Sequence, residues 1–227
     1  MKKSTKIIST YVLLLLIGAL TIFVAERIIG KGGQEKKIYN LFTKPLSPFS
    51  VVVAEESADF RIEMCDSNAM EWTLPKEMSI KGEPAYVRND TLFVAKTLTG
   101  KSQYFVVRCK TLTTIVSSKG SRVQLIDPSL DKLKIMGTGG KVFLYIINYT
   151  KAIHIGQLDI VGKKTSIEIQ SPLNCLNAQL DGAQLYTYST VDEVNLKMVN
   201  NSSIRFNSYP RSRFNMEKDS TSSIKIY

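Results

Sequence analysis

Hydrophobic positions follow two regimes along the chain. Ile7 through Ala25 is an unbroken stretch without a formal charge, bracketed by Lys6 and by Glu26-Arg27. Its length approaches the ~20 residues with which a helix crosses a bilayer. A cleaved leader has a shorter apolar core and small residues before the cut, whereas a cut after Ala25 would set Phe23 at position −3. The segment therefore reads as an uncleaved transmembrane helix or signal anchor over 7–25, with residues 1–6 as a cytoplasmic tail. Residues 26–45 read as a linker, because the Gly30-Lys31-Gly32-Gly33 run and the charges after it cannot pack a core. Pro45 and Pro48 then mark the entry to one folded domain over 46–227.

Within that domain the period becomes two. Phe60, Ile62 and Met64 alternate with Arg61 and Glu63, which predicts a strand with one buried face. From about residue 112 a repeat emerges, in which an apolar pair at i and i+2 is followed by a turn and then by a second such pair. The first pairs are Thr114/Val116, Leu133/Ile135, Leu158/Ile160, Leu176/Ala178, Leu196/Met198 and Phe214/Met216. The second pairs are Val123/Leu125, Val142/Leu144, Ile167/Ile169, Leu185/Thr187, Ile204/Phe206 and Ile224/Ile226. The unit recurs six times, with its longest interval between Leu133 and Leu158.

Between the members of the first pairs stand, after Ile115, the residues Lys134, Asp159, Asn177, Lys197 and Asn215, so one face of these strands is wet. The turns carry Lys119-Gly120, Gly139-Gly140, Asp181-Gly182 and Asn200-Asn201, residues that tolerate a left-handed backbone. A unit of about 20 residues made of two short strands predicts an all-β fold of the β-solenoid type, each rung pairing with the next. A β-sandwich is the structural alternative, and Asp181-Gly182 by itself would suit an antiparallel hairpin.

From about Phe49 to Tyr227 the chain resembles the auto-transporter adhesin head GIN domain family of bacterial envelope proteins. The residues that carry the resemblance are Phe49-Ser50-Val51-Val52-Val53, Ala58-Asp59-Phe60-Arg61-Ile62, Asp90-Thr91-Leu92-Phe93-Val94 and Leu133-Lys134-Ile135-Met136-Gly137-Thr138-Gly139-Gly140. The resemblance implies a right-handed parallel β-helix-like fold on the cell surface or in the periplasm. It supplies no catalytic residues. The later turns, Asn200-Asn201-Ser202 and Asp219-Ser220-Thr221, depart from the family's glycine-serine pattern.

Charge changes the picture less than its total suggests. Of the net +10, residues 1–37 contribute +5, where a basic flank fixes membrane topology and meets anionic headgroups. The remaining basic residues are scattered through strand-like segments, which argues against a nucleic-acid partner. Cys65, Cys109 and Cys175 are widely spaced and read as small buried hydrophobes, and His154 is the lone histidine. No cofactor or metal is implied.

If the rungs stack, the outward residues of the second strands form two rows. One holds Gln124, Phe143, Glu168, Tyr186, Arg205 and Lys225; the other holds Ile126, Tyr145, Gln170, Tyr188, Asn207 and Tyr227. Phe143, Tyr145, Tyr186, Tyr188 and Arg205 are the candidate ligand-binding residues, since aromatics beside hydrogen-bonding groups suit a sugar ring or a protein anchor. The same residues are also good cross-strand pairing partners on any pleated sheet. Carboxylates at Asp159, Glu168, Asp181 and Asp192 would be needed for a polysaccharide-processing enzyme, but surface solvation is the simpler use. The expectation is a single-pass inner-membrane protein with a non-enzymatic binding or adhesion-type domain in the periplasm or at the cell surface. The partners expected are the lipid bilayer through 7–25 and an envelope glycan or protein. A scaffold or polymer-forming β-helix is the alternative.

Overall fold

The computed structural model describes residues 17, 18, 21, 39–75, 83–95, 105–148, 153–207 and 210–227. Of the apolar segment 7–25, Ile17, Gly18 and Thr21 are described. All three are helical, and the Thr21 hydroxyl donates to the carbonyls of Ile17 and Gly18. The rest of that segment lies outside the described residues, among which no helix is long and apolar enough to cross a membrane.

The body is all-β. Its first strands are β1 (Tyr39–Pro45), β2 (Val51–Ala54), β3 (Asp59–Met64), β4 (Ala69–Pro75), β5 (Ala85–Arg88), β6 (Thr91–Val94) and β7 (Phe105–Cys109). Next come β8 (Thr114–Ser117), β9 (Arg122–Ile126), β10 (Ser129–Thr138), β11 (Lys141–Tyr145), β12 (His154–Lys163) and β13 (Ser166–Ile169). The last are β14 (Leu173–Asp181), β15 (Gln184–Thr187), β16 (Val191–Val199), β17 (Ser203–Phe206), β18 (Arg213–Lys218) and β19 (Ser223–Ile226). They form a ten-stranded sheet in the order β1-β4-β7-β3-β9-β11-β13-β15-β17-β19 and a nine-stranded sheet in the order β18-β16-β14-β12-β10-β8-β2-β6-β5.

From β8 onward the chain alternates between the sheets, and each strand pairs in parallel with the strand two further along. In the nine-stranded sheet Ile115, Ile135, Ile160, Ala178, Leu196 and Met216 align in one column. In the ten-stranded sheet Val123, Val142, Ile167, Leu185, Ile204 and Ile224 align likewise. Side chains on these columns turn inward, and Leu133, Ile135, Leu144, Leu158, Ile167 and Leu185 are fully buried. The core is the layer where such residues from both sheets meet.

The corners between paired strands are backbone turns stacked on one another. Gly120, Gly139, Lys164, Gly182, Asn200 and Asn201 adopt positive φ there. The amide of Gly120 donates to the carbonyl of Gly139, that of Gly139 to Lys163 and that of Lys164 to Asp181. At Gly140 the limit is space: a Cβ would overlap Ser117 Oγ and stand 2.6 Å from the Ser118 carbonyl oxygen.

The N-terminal end departs from this regularity. After β3 the chain turns back in β4, and β4 runs antiparallel to β7, as β5 does to β6. The β6 and β7 strands lie on the outer side of β2 and β3. The chain then passes across β2, where the Thr113 amide donates to the Ser50 carbonyl at 2.8 Å, and opens β8 on the other side.

Three expectations need correction. The first repeat unit is out of phase by one residue: Ile115 and Ser117 point inward, while Thr114 and Val116 are half-buried. Ile115 is the bulkiest apolar residue of that strand and takes the core position. In the fifth unit Val194/Leu196, and not Leu196/Met198, align with Leu176/Ala178. All three of those residues face inward, so a slip of two keeps the same face. Finally, β1 lies within the stretch expected to be linker, and it joins the ten-stranded sheet beside β4.

Candidate functional site

The outer face of the ten-stranded sheet carries the residues singled out from the sequence. Registers pair Gln124 with Phe143, Phe143 with Glu168, Glu168 with Tyr186, Tyr186 with Arg205 and Arg205 with Lys225, so the first row forms as expected. Arg61 extends it on β3. In the second row Tyr145 pairs with Ile126, and backbone amides of Gln170, Tyr188, Asn207 and Tyr227 continue the ladder past the strand ends. Ile126 is buried and contributes nothing to the surface.

Two aromatic–guanidinium clusters stand on this face. Phe143 and Tyr145 stack at 5.4 Å with ring planes 19° apart, and the Arg122 guanidinium lies 5.1 Å from the Phe143 centroid. Two strands further along the sheet, Arg205 lies 5.4 Å over the Tyr186 ring, whose hydroxyl donates to Gln184 Oε1 at 3.0 Å. Guanidinium over a ring face fixes both groups while leaving the N–H edge of the cation to solvent. Glu168, held by Gln170 Nε2 at 3.3 Å, stands between the clusters. Burial first, and then the charge of Glu168, push the Tyr145 hydroxyl above its ordinary titration range against the opposing pull of Arg122. Tyr188 has half its surface exposed, and Arg205 is exposed as well, whereas Phe143, Tyr145 and Tyr186 are half-buried.

Sequence reasoning missed two features of the opposite face. The first is an amide ladder on the nine-stranded sheet. Asn177 Nδ2 donates to Asp159 Oδ1 at 2.8 Å, Asn195 Nδ2 to Asn177 Oδ1 at 2.9 Å, and Asn215 Nδ2 to Asn195 Oδ1 at 2.8 Å. Asp159 also accepts from Gln157 and pairs with Lys132 at 3.1 Å. Burial raises the Asp159 carboxyl, but the hydrogen bonds from Asn177, Gln157 and Lys132 outweigh it and hold the group below the usual carboxylate value. The two-residue slip in the fifth unit hid this column by putting Lys197 where Asn195 belongs. The second feature is an outward apolar row, Tyr86-Phe93-Val53-Val116-Met136-Val161, running across six consecutive strands. Tyr86, Met136 and Val161 are each at least 40% exposed, and Tyr86 stacks on Phe93 at 5.2 Å.

The carboxylates considered for hydrolysis do not converge. Asp159 faces out from the nine-stranded sheet and Glu168 from the ten-stranded one, on opposite sides of the core. Asp181 closes a corner, accepting from Asn200 and pairing with Lys163 at 3.7 Å. Among the described residues no three His, Cys, Asp or Glu side chains gather as a metal site. Cys109 is buried, and burial, followed by the nearby Cys65, pushes its thiol up to about 12. Cys65 and Cys175 are half-buried, and all three cysteines are unbridged.

No family model matches this chain, and no curated protein matches it. Among solved structures, a "putative adhesin" from Bacteroides fragilis superposes with a TM-score of 0.52 at 14% identity, covering 85% of this chain and 98% of its own. The two share the fold. Another "putative adhesin", from Parabacteroides merdae, gives a TM-score of 0.46 at 13% identity, covering 86% of this chain and 98% of its own. A "putative lipid binding protein" from Parabacteroides distasonis gives 0.45 at 13% identity, covering 85% of this chain and 98% of its own.

Proposed function

We propose that this chain is a membrane-anchored envelope protein whose β-solenoid body binds a glycan on the outer face of the ten-stranded sheet, without catalysing a reaction on it. The observation that carries the reading is the pair of aromatic–guanidinium clusters, Arg122/Phe143/Tyr145 and Tyr186/Arg205, set on one sheet face with Glu168 between them. Aromatic faces stack on the apolar face of a sugar ring, while guanidinium and carboxamide groups take its hydroxyls and any carboxylate. Segment 7–25 supplies the anchor and residues 1–6 the cytoplasmic tail, which sets the body in the periplasm or at the cell surface.

Parallel registers that recur from layer to layer support a solenoid, and a right-handed sense is the one that parallel crossover connections take in general and that the resemblance to the GIN domain family implies. The adhesin name of the Bacteroides fragilis protein, which has the same fold, accords with a binding role. The separation of Asp159 from Glu168 on opposite faces argues against a hydrolase.

The test is a glycan-array and calorimetric screen of the purified full chain, with neutral and uronate-containing polysaccharides, against the Tyr186→Ala/Tyr188→Ala variant. The expected result is binding that falls by tenfold or more in the variant, a loss of about 1.4 kcal/mol, the order expected when aromatic stacking is removed. Binding that survives the double substitution would place recognition elsewhere. A chain that binds no glycan at all would return the reading to a scaffold.

A further inference from the structure

The nine-stranded sheet ends at β18, whose outer edge has no strand beside it among the described residues. An open edge pairs readily with a strand of another chain unless charge or shape prevents it. The residues of β18 alternate cleanly: Arg213, Asn215 and Glu217 face outward, and Phe214 and Met216 lie on the inward columns. Arg213 and Glu217 are 64% and 78% exposed along their side chains, and Met216, although on a core column, is 43% exposed.

Placing a second β18 antiparallel to the first, with a two-fold axis through Asn215, gives a self-complementary match. Arg213 then stands opposite Glu217 of the other copy, twice. Phe214 stands opposite Met216, twice, so each copy covers the other's exposed apolar end. Asn215 meets Asn215, which carries the Asp159-Asn177-Asn195-Asn215 ladder across the junction with an amide donor and an acceptor on each side. Charge continuity runs the same way. Within one chain Arg213 approaches Glu193 at 4.0 Å and Glu217 approaches Lys197 at 3.7 Å. The junction extends these into two alternating series, Glu193, Arg213, Glu217, Lys197. A parallel or one-residue-shifted pairing would instead oppose Arg213 to Arg213 or bury charge against Phe214.

We infer that β18 is a self-association edge, through which two copies of this chain join tail to tail in one continuous sheet centred on Asn215. A two-fold axis perpendicular to the sheet makes the contact isologous, so assembly stops at two. The inference does not rest on glycan binding.

The test is sedimentation equilibrium of the full chain over a range of concentrations, with charge-swapped variants. The wild type is expected to form a reversible dimer. Arg213→Glu and Glu217→Arg are each expected to weaken it by about tenfold or more, because each places like charges opposite one another at two symmetric positions. The double variant Arg213→Glu/Glu217→Arg is expected to recover the wild-type association constant to within about threefold, since it restores both junction pairs. That recovery cannot come from folding, because the double variant leaves both intrachain approaches, to Glu193 and to Lys197, repulsive. As a second readout, Asn215→Cys is expected to form a covalent dimer under mild oxidation with copper phenanthroline. Asn195→Cys, one strand further in, is expected not to. A wild type that stays monomeric at high concentration, a double variant as weak as the singles, or equal cross-linking at 195 and 215 would overturn the inference.

Discussion

At the residue scale, the corners carry constraints that the strands do not. Gly140 has no room for a methyl group: Ser117 Oγ and the Ser118 carbonyl both lie inside contact distance of any Cβ placed there. Gly140→Ala is therefore expected to lower Tm by several degrees, checked by thermal melting followed by circular dichroism. Asp219 shows how a corner is held without glycine. Its carboxylate accepts from the amides of Asn200, Thr221 and Ser222 and from the Thr221 hydroxyl. The Ser222 side chain first and the Asn200 amide next, with Thr221 and the Ser222 amide adding less, lower its pKa from 3.8 to about 2 against a smaller opposing effect of burial. A carboxyl depressed on folding stabilises the native state above its unfolded value, and that contribution fades as pH falls through the folded value. The Tm difference between wild type and Asp219→Asn should thus be constant above about pH 5 and shrink between about pH 4 and pH 2. A difference unchanged across that window would show that the corner is held by other contacts.

Elements were legible where one phase of apolar positions stood alone. In β13, Ile167 and Ile169 are flanked by Ser166, Glu168 and Gln170, and the register with β11 and β15 followed directly from that pattern. Both outward rows of the candidate site were legible for the same reason, apart from Ile126. Where apolar residues occupy both phases, as in Thr114-Ile115-Val116, or run on in phase, as in Val194, Leu196 and Met198, period two cannot fix the start of a unit. The amide ladder was lost to that ambiguity. The outward apolar row was hidden for a different reason: it depends on β5 and β6 lying outside β2, an order set by a chain reversal that no local pattern records. Asn177→Leu tests the ladder as a unit, because it removes a donor to Asp159 and an acceptor from Asn195 at one stroke. The expected loss is about 1–3 kcal/mol in denaturant unfolding at neutral pH. A neutral result would mean that solvent replaces both partners.

From β8 onward each strand contacts mainly the strand on either side of it in its own sheet, so stability there is expected to be distributed as a chain of nearest-neighbour terms. The β12 and β14 strands have partners on both edges and fully buried inward residues, whereas β18 and β19 have one partner each among the described residues and leave Met216 and Ile226 exposed. Hydrogen exchange measured on dilute protein should therefore find the amides of 213–218 and 223–226 opening well before those of 155–163 and 173–181. Uniform protection along the body would contradict nearest-neighbour stability.

The aligned columns have one more consequence, which concerns length. Ile160 and Ala178 occupy the same place in successive layers, as do Ala178 and Leu196, and the two intervals of chain are equally long. Excising one such interval would leave every remaining strand a parallel neighbour in the same register, and duplicating one would do the same. Each such change would move the far end of the sheet by one strand spacing, about 4.8 Å. Genetic events in steps of one layer can thus alter the reach of this molecule as a ruler is cut or extended, without redesigning a core.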